Sequence, residues 1–400
     1  MRVLHLVKTS EGGTWAARQV RILTALGVDV HVVLPVSSGE AVTHWEAAGA
    51  TLHFADCSLP VGAPGQMRRR VETMRRLVSE IAPDLIHSHF VTTTLMLRLA
   101  LGRRHAIPRL FQVAGPLHLE HRIYKLADLA TAGDADLWVA SSRYTRTLYL
   151  AAGVHPERVY LSYYGIEMDK FSALRSGKLR RQLGISADAR LVGNISYMYP
   201  PKYFLGQTVG LKGHEDLMQA ICLLRKEDPD LVGVFVGGQW GGGVWYEEQL
   251  RRRARRMGGE HIMLPGRVPQ DAAGNLWPDF DCVIHAPLSE NCGGVVEPLA
   301  SGAPTVATQV GGLPEVVMDG LTGWLVPARD MRAMAHAVAE VLAKPEEARR
   351  RTAIGQALVH RMFDIQRTGT EMAGIYAHVL RQASSPPQVF DSAVVARSLA

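Results

Sequence analysis

Short apolar segments rich in β-branched residues alternate with segments of helical periodicity along most of this 400-residue chain. Such alternation predicts βαβ units, in which each helix connects two parallel strands. The pattern restarts after Phe171, where the polar helix of "GKLRRQLGIS" leads into the strand of "RLVGNISYM". Because 400 residues also exceed one ordinary hydrophobic core, the sequence predicts two doubly wound α/β domains joined near residues 170–180.

The predicted strands and helices have the lengths expected of such units. Strands are predicted at 2–7, 28–35, 50–55, 85–90, 109–114, 137–142, 158–165, 190–198, 232–238, 261–266, 282–287, 304–309 and 323–327. Helices are predicted at 14–26, 66–81, 142–151, 213–226, 245–257, 294–302, 330–343 and 346–360. A last helical pattern includes Met372 and Tyr376, after which "SSPPQVFDSAVVARSLA" loses all pattern and a mobile tail is expected.

The chain is mildly basic, with 44 lysines and arginines against 38 aspartates and glutamates and a net charge of +6. Such a surface tolerates anionic partners without selecting among them. The N-terminus lacks the pattern of a signal peptide, and no apolar run approaches the roughly 20 residues that span a bilayer. The cysteines have no metal-binding spacing, so a reduced, cytoplasmic compartment is expected. They are Cys57, Cys222, Cys282 and Cys292.

Arginines cluster in two predicted helices, in "MRRRVETMRR" (67–76) and in "RRRARR" (251–256). Neither stretch has interleaved aromatic residues, so both are interpreted as solvated helix faces, and nucleic acid is not expected as a partner. In the first stretch, apolar residues such as Val71 and Met74 back the arginines, which also suits an anionic membrane surface. Peripheral contact of helix 67–80 with the inner membrane face therefore remains a second interpretation.

The first strand is followed by "KTSEGGTWAARQV" (8–20), where Gly12 and Gly13 precede a predicted helix. A glycine turn at a helix start offers backbone N–H groups and a helix dipole to an anion. The alternative is a tight strand-to-helix turn without a ligand. The segment lacks the full G-x-G-x-x-G spacing, and no acidic residue ends the second strand, so a dinucleotide site is not expected here.

Histidines lie at the carboxyl ends of two predicted strands of the first half, in "DLIHSHF" (84–90) and "VAGPLHLEH" (113–121). Ligands of open α/β sheets bind outside these ends. His118 could donate a hydrogen bond to a sugar hydroxyl or a leaving group, since imidazole is easily poised near neutral pH. The alternative for each histidine is a structural role. His87, and also Glu120, are interpreted as structural.

In the second half, "SENCGGVVEPLASG" (289–302) places two glutamates on either side of a glycine pair at a predicted helix start. The glycines let a backbone approach a phosphate, and carboxylates accept hydrogen bonds from hydroxyl groups. Lys212, also at a helix start, is a suitable diphosphate counter-ion, and Lys202 could be a second. The glycine-rich "FVGGQWGGG" (235–243) either approaches a ligand or is simply flexible. This combination suits a nucleotide sugar.

With these residues in view, the chain resembles the retaining glycosyltransferases of family 4 over about residues 1–380. The most specific parts are "GLKG" (210–213), "SENCGGVVEPLASGAPTVATQVGGLPEVV" (289–317) and "DGLTGWLVPARD" (319–330), and "YYGIEMDKF" (163–171) supports them. The resemblance implies the GT-B fold, with two Rossmann-like doubly wound parallel-sheet domains facing an interdomain cleft. The implied parts are an acceptor domain (1–172), a donor domain (173–360), a helix crossing back to the first domain (361–383) and the tail (384–400).

The resemblance also implies roles for single residues. His118, Lys212 and Glu290 would be catalytic, with Lys212 neutralising the diphosphate, His118 facing the reacting sugar and Glu290 beside the donor sugar. Glu297 would accept hydrogen bonds from the ribose hydroxyls. The other donor-binding residues would be Gly13, Lys202, Gly237, Arg267, Val268, Asn291, Cys292, Gly293, Gly294 and Val295. The acceptor-binding residues would be Glu11, Trp15, His89, His118, His121 and Tyr197.

Two departures from the family pattern concern the donor site. The family's two glutamates usually have seven residues between them, whereas Glu290 and Glu297 have six, so that Ser289 takes the expected position of the first. Either Glu290 still reaches the sugar or its role has moved. The arginine usually found after the first strand of the second domain is also absent, since Asn194 follows Gly193, and Lys202 could compensate.

The expected activity is therefore transfer of a sugar from a UDP- or GDP-linked donor to a hydroxyl acceptor, with retention of configuration and without a metal or other cofactor. In this family, the leaving phosphate is held to take the acceptor proton after attack on the same face. A saccharide, a lipid-linked intermediate or polysaccharide, and an aglycone such as an aminocyclitol remain open as acceptors. The alternatives are a nucleotide-sugar epimerase on the same scaffold and a non-catalytic nucleotide-sugar-binding protein. The sequence does not indicate an oligomeric state.

Overall fold

The computed structural model describes residues 1–400, apart from the side chains of residues 270 and 271. The chain divides into two compact units. The first unit comprises Met1–Glu167 and Met362–Phe390, and the second comprises Met168–Arg361 and Asp391–Ala400. Each unit is built around one parallel sheet, which confirms the predicted α/β class.

The strands of the first unit are β1 (Arg2–Leu6), β2 (Asp29–Leu34), β3 (Thr51–Phe54), β4 (Leu85–Ser88), β5 (Arg109–Gln112), β6 (Asp136–Ala140) and β7 (Val159–Leu161). Its helices are α1 (Thr14–Ala25), α2 (Glu40–Ala47), α3 (Met67–Ile81), α4 (Val91–Leu101), α5 (Leu117–Glu120), α6 (Arg122–Thr131), α7 (Arg143–Ala151) and, from the second segment, α15 (Ile365–Val379). The strands pair in the order β3-β2-β1-β4-β5-β6-β7.

Both faces of the first sheet are covered by helices. Residues of α1, α2 and α15, among them Ala16, Trp45 and Met372, pack in one buried cluster with strand residues such as Val3. Residues of α3 and α4 pack in a second cluster on Leu4 and its neighbours. Because both faces are buried, the strands are almost continuously apolar, which is why the sequence identifies them clearly.

The strands of the second unit are β8 (Leu191–Ile195), β9 (Val232–Val236), β10 (Ile262–Gly266), β11 (Cys282–His285), β12 (Thr305–Thr308) and β13 (Trp324–Val326). The remaining helices are α8 (Lys178–Leu183), α9 (His214–Leu224), α10 (Val244–Gly258), α11 (Gln270–Ala273), α12 (Gly293–Ala300), α13 (Met331–Ala343), α14 (Pro345–Met362) and α16 (Ser392–Leu399). The strands pair in the order β10-β9-β8-β11-β12-β13.

The second sheet is also covered on both faces, by α9, α10 and α13 on one side and by the segment around Trp277 with α8 on the other. In both sheets the strand order reverses once, between β1 and β4 and between β8 and β11. Such a reversal opens a crevice at the carboxyl ends of the strands, which is where doubly wound sheets bind ligands. The fold therefore offers one candidate edge in each unit.

All thirteen predicted strands overlap the observed ones, and the predicted helices are present. The sequence analysis missed α2, α4, α6 and the short α5 and α11. The structure also differs from the expectation for the tail. Asp391 accepts hydrogen bonds from the backbone N–H groups of Ala393 and Val394, and this cap begins helix α16 where the sequence suggested no pattern.

The structure does not support the membrane-surface interpretation of the apolar residues of α3. Met74, Leu77 and Val78 are buried against Leu4 and Ile86 of the first sheet, so they cannot also enter a lipid surface. The outward face carries the arginines, of which Arg68 pairs with Glu72 at 3.0 Å. Across the described residues, none of the helices combines the length and the apolar character needed to cross a bilayer.

Candidate functional site

The loops at the carboxyl edge of the second sheet are tied together by backbone hydrogen bonds. The N–H of Met198, after β8, donates to Gly238 O at 2.8 Å, and the N–H of Leu288, after β11, donates to Leu211 O at 2.8 Å. These bonds bring the segment after β8, the "GLKG" turn and the segment before α12 to the strand-order reversal. The donor positions predicted on these segments thus share one edge of the second unit, whereas Gly13, also predicted to bind the donor, lies in the first unit.

Lys212 and Glu290 form an ion pair at this edge, in which Lys212 Nζ donates to Glu290 Oε2. His285, the last residue of β11, places its Nε2 3.4 Å from the same oxygen. Of the two residues considered for the first-glutamate position, the structure brings Glu290 to Lys212, whereas Ser289 has a buried hydroxyl. The Glu290 carboxylate therefore still reaches Lys212, although the spacing between the two glutamates is one residue shorter than usual.

The charges in this group follow from its surroundings. Burial alone would raise the pKa of the Glu290 carboxyl, but Lys212 and His285 outweigh it and lower that pKa to about 2. Burial lowers the pKa of His285, so its ring is neutral at pH 7. Asn194 Nδ2 donates to His285 Nδ1 at 3.2 Å, which assigns the ring proton to Nε2, facing Glu290. Asn194, in the position of the family's usual arginine, thus orients a histidine.

The two glycines at the start of α12 have different surroundings. A Cβ at Gly294 would overlap the ring of His285, so only glycine lets the helix pack this closely on β11. A Cβ at Gly293 would meet nothing within 4 Å. The first N–H groups of a helix have no intrahelical acceptor, and together with the helix dipole they attract anions. The open side of Gly293 is where a phosphate could approach them.

Glu297 is the fifth residue of α12, because the helix begins at Gly293 rather than at the predicted residue 294. It therefore lies at the start of the second turn of the helix. Trp277 Nε1 donates to Glu297 Oε2 at 3.3 Å. The carboxylate is half-buried, so it is held by the indole and still reachable from outside.

The other residues predicted to bind the donor lie on the neighbouring loops. Arg267 is exposed and donates to Tyr197 Oη at 3.3 Å, and the N–H of Gly237 donates to Gly266 O at 2.9 Å. Lys202 is half-buried, and its backbone N–H donates to the Gln207 side chain at 2.9 Å. Val268 packs against the core around Trp277, and the side chains of Asn291, Cys292 and Val295 are buried.

The carboxyl edge of the first sheet holds a different group, made of buried rings. His5 Nδ1 lies 2.9 Å from His89 Nε2, and His87 Nδ1 lies 2.6 Å from the hydroxyl of Tyr376 on α15. His89 Nδ1 is 3.1 Å from the hydroxyl of Tyr164. Nitrogens of the three histidines lie within 4.8 Å of one another, a spacing that could hold a metal ion. The hydrogen bonds among the rings account for the same spacing.

Burial determines the charge of these histidines. It lowers the pKa of His5 to about 3, and it lowers the pKa of His87 and His89 well below the usual value, helped by the neighbouring histidines. All three rings are therefore neutral at pH 7. The structure places His87, which the sequence analysis interpreted as structural, in the same hydrogen-bonded group as the predicted acceptor residue His89.

His118 lies in a separate buried network. Its Nε2 is 3.0 Å from the Tyr149 hydroxyl and 3.7 Å from Asp128 Oδ2, and burial lowers its pKa. Asp128 is in turn paired with the buried Arg98 at 2.7 Å. His118 is only 5% exposed, and its Nε2 faces these side chains. The structure thus connects His118 to α6 and α7 through Asp128 and Tyr149.

The remaining acceptor candidates of the first unit lie around its strand-to-helix turns, together with Gly13, which was predicted to bind the donor. Gly13 has a φ of +84° and precedes α1, a conformation that favours glycine, and Glu11 before it is exposed. The half-buried Trp15 packs on Tyr164 with ring centroids 4.3 Å apart and on His89 at 5.5 Å. His121 is half-buried at the start of α6. The structure therefore brings Trp15 and His89 together.

Several residues of these sites were missed by sequence reasoning. His285 lies near the carboxyl end of the predicted strand 282–287 and ends the observed β11, so its position could have marked it. His5 lies inside a strand that is buried on both faces, and Tyr376 is 371 positions further along the chain. No sequence rule connects residues so distant. The group of buried rings in the first unit therefore becomes visible only in the fold.

Two family models match the chain, one for each half. The model described as "Glycosyltransferase Family 4" matches residues 12–170, and the model described as "Glycosyl transferases group 1" matches residues 183–357. Together they cover most of the chain, and the second range contains the Lys212–Glu290 pair and α12.

Relatives of known name support the same family. The D-inositol 3-phosphate glycosyltransferase of Frankia alni is 26% identical over 399 residues, which cover 91% of this chain and 93% of that protein. The enzyme of that name from Streptomyces scabiei is 27% identical over 289 residues, which cover 66% of this chain and 61% of that protein's length.

Solved structures show the same fold at low sequence identity. The Anabaena protein HepE in complex with UDP-glucose aligns with a TM-score of 0.79 at 22% identity, over 94% of this chain and 100% of that one. The sucrose-phosphate synthase of Thermosynechococcus elongatus aligns with a TM-score of 0.76 at 18% identity, over 96% of this chain and 100% of that one. The two sheets thus have the arrangement of strands and helices of the GT-B fold.

Proposed function

Because the chain belongs to glycosyltransferase family 4, we propose that it transfers a sugar from a nucleoside-diphosphate sugar to a hydroxyl group, with retention of the anomeric configuration. The observation that carries this proposal is the grouping of Lys212, Glu290 and the start of α12 at one edge of the second sheet. A cation and exposed N–H groups suit a diphosphate, and an ionised carboxylate beside them suits sugar hydroxyls.

The donor is assigned to the second unit. The Gly293 and Gly294 amides and Lys212 would hold the diphosphate, and Glu290 would accept a hydrogen bond from the transferred sugar. Glu297, held by Trp277, would accept the ribose hydroxyls. UDP is the first nucleotide to test, since the HepE structure contains UDP-glucose.

The proposed reaction is the one that the resemblance to family 4 implies. The bond between the anomeric carbon and the phosphate oxygen breaks, and its electron pair stays on the diphosphate. The acceptor oxygen forms the new bond on the same face, and its proton passes to the leaving phosphate. Lys212 and the N–H groups of α12 would stabilise the charge that develops on the leaving group, and no metal is needed in this scheme.

The acceptor is assigned to the first unit, where the half-buried Trp15 packs on the neutral, buried ring of His89. Rings without charge suit a hydroxyl-rich acceptor, such as a saccharide or a cyclitol. D-inositol 3-phosphate is a reasonable first acceptor, because the relatives from Frankia alni and Streptomyces scabiei are named for it. Lipid-linked saccharides and aminocyclitols complete the panel.

The test is a panel of nucleotide sugars and acceptors with the full-length protein. A transferase releases the nucleoside diphosphate and forms a glycoside when an acceptor is present, and NMR of that product gives its anomeric configuration. An epimerase would change the donor sugar without an acceptor. A binding protein would show affinity for a nucleotide sugar and no turnover. Either of the last two results would replace the proposed reaction.

Glu297→Ala tests the donor assignment. We expect its Kd for UDP or a UDP-sugar to rise about 10- to 100-fold, since a hydrogen bond to a charged group contributes about 1.5–3 kcal/mol. The exposed Glu227 gives the matched control Glu227→Ala, which should bind like the wild type. Unchanged affinity of Glu297→Ala would contradict the assignment.

A further inference from the structure

Three aromatic side chains stand together after β8 and β9, next to the proposed donor site. Tyr197 and Trp240 have ring centroids 4.8 Å apart at an angle of 61°, and Tyr199 and Trp240 have centroids 5.7 Å apart. All three rings are half-buried, so each keeps part of its surface accessible. Tyr197, Tyr199 and Trp240 are called the aromatic cluster below.

The aromatic cluster is held from several sides. The backbone around Met198 pairs with Gly238 and Gln239, which fixes the two loops that carry the rings. The guanidinium of Arg267 lies 5.4 Å from the centroid of Tyr197 and donates to its hydroxyl. Trp240 lies on a glycine-rich loop, between Gly238 and the three glycines 241–243.

The aromatic cluster borders the Lys212–Glu290 pair. The N–H of Leu211 donates to Tyr199 O at 3.2 Å, so Tyr199 lies beside the turn that carries Lys212. Burial and then the negative charge of Glu290 raise the pKa of the Tyr199 phenol, which therefore stays neutral. An uncharged ring surface thus adjoins an ionised pair at the same edge of the sheet.

Aromatic faces and charged groups contact different parts of a polyol ring. The ring's C–H groups form an apolar face that suits an aromatic surface, and its hydroxyls at the rim suit a carboxylate. Trp and Tyr supply large contact areas with few rotatable bonds, so little conformational entropy is lost on binding. The aromatic cluster and Glu290 together offer both kinds of contact.

We propose that Tyr197, Tyr199 and Trp240 form a stacking subsite for the apolar face of a six-membered polyol ring, supplied by the donor sugar or by the acceptor. This inference rests on the proposed function and adds to it the residues that select the ring. The segment 196–209 is therefore a specificity element of the second unit.

The test compares Trp240→Ala with Trp245→Ala in the full-length protein. Trp245 is 47% exposed near the start of α10 and packs on Tyr246, outside the aromatic cluster, so it is a matched control. Calorimetry with UDP and with UDP-glucose, or with GDP and GDP-mannose if the wild type prefers guanine, separates contacts to the nucleotide from contacts to the sugar. The KM for D-inositol 3-phosphate reports the acceptor.

If the donor supplies the ring, Trp240→Ala should raise the Kd for UDP-glucose about tenfold and leave the Kd for UDP within about twofold of the wild-type value. For a ring supplied by the acceptor, both Kd values should stay unchanged and the acceptor KM should rise about tenfold. Trp240→Phe should restore most of either loss because it keeps an aromatic face. Trp245→Ala should change none of these values.

Three results would overturn the inference. Trp240→Ala could weaken the binding of UDP as much as that of UDP-glucose, which would assign the aromatic cluster to the nucleotide instead. It could leave all the constants unchanged, or Trp245→Ala could match its effect. A wild-type protein that binds no nucleotide or nucleotide sugar would contradict the proposed function itself, which is a different failure from these three.

Discussion

Each sheet reverses its strand order once, and the carboxyl edges at these two reversals carry opposite chemistry. At the first edge, the buried rings of His5, His87 and His89 are neutral because burial lowers the pKa of each. At the second edge, Lys212 and Glu290 form an ion pair in which the carboxyl pKa is about 2. The second edge also presents the N-terminus of α12.

This difference shows which part of a site comes from the fold and which from the residues. The parallel sheet places both groups at strand ends, where a crevice opens. The side chains then decide whether that crevice suits an anion or an uncharged polyol. The most direct ways to test the comparison are therefore to remove charge from the second edge, to close the approach to its helix, and to change the protonation of the first edge.

The largest effect is expected from Lys212→Gln. In the proposed mechanism the variant removes the cation beside the leaving diphosphate, so kcat/KM for acceptor-dependent release of UDP should fall about 10²- to 10³-fold. Initial rates at subsaturating donor measure this change. Lys226 is exposed just after α9, so Lys226→Gln is a control that should retain wild-type rates. A Lys212→Gln enzyme with more than about a third of wild-type kcat/KM would remove the lysine from the proposed mechanism.

The glycine pair at the start of α12 should separate stability from binding. Gly294→Ala places a methyl group against the buried ring of His285, and overpacking of this kind costs about 1–3 kcal/mol, which should lower the thermal midpoint by several degrees. Gly293→Ala places its methyl group in open space, so the fold should be unaffected while the Kd for UDP rises about tenfold.

The two variants serve as controls for each other in thermal scans and titrations. Unchanged stability of Gly294→Ala would mean that α12 does not pack on His285 as described. Unchanged UDP affinity of Gly293→Ala would mean that the diphosphate does not approach this side of the helix. Either result would weaken the contrast between the two edges, because the second edge would lose its anion-binding helix start.

The sequence predicted most of the fold because buried parallel strands are continuous apolar runs between helices. It missed α4, whose "VTTTLMLRLAL" has no polar face, since the helix is covered on most sides. It also left a membrane surface open as a second interpretation of the apolar residues of α3, because a helical pattern shows that one face is apolar but not what covers it. Met74 and Leu77 in fact pack on the first sheet.

The candidate site was predictable only where its residues are close in sequence. Gly293, Gly294 and Glu297 belong to one short motif, and Lys212 follows from a second one. The contact between His87 and Tyr376 joins residues 289 positions apart, and the aromatic cluster joins loops after two different strands. Such groups depend on how strands are ordered in the sheet, which no local pattern specifies.

The smallest effect is expected at the first edge, from His5→Gln as a function of pH. His5 is neutral in the folded protein because its pKa is lowered to about 3, whereas an unfolded histidine binds a proton below about pH 6.5. Its contribution to stability is therefore fully present above pH 6.5 and is lost as the pH falls toward 3, by about 1.4 kcal/mol per pH unit. Between pH 7 and pH 5, the wild type should lose about 2 kcal/mol more of its free energy of unfolding than His5→Gln does.

Thermal midpoints at the two pH values measure this difference. The exposed His155 gives the control His155→Gln, which should lose as much stability as the wild type. Equal acid sensitivity of the wild type and His5→Gln would mean that His5 can take up a proton in the folded state, and the first edge would then not be the uncharged one.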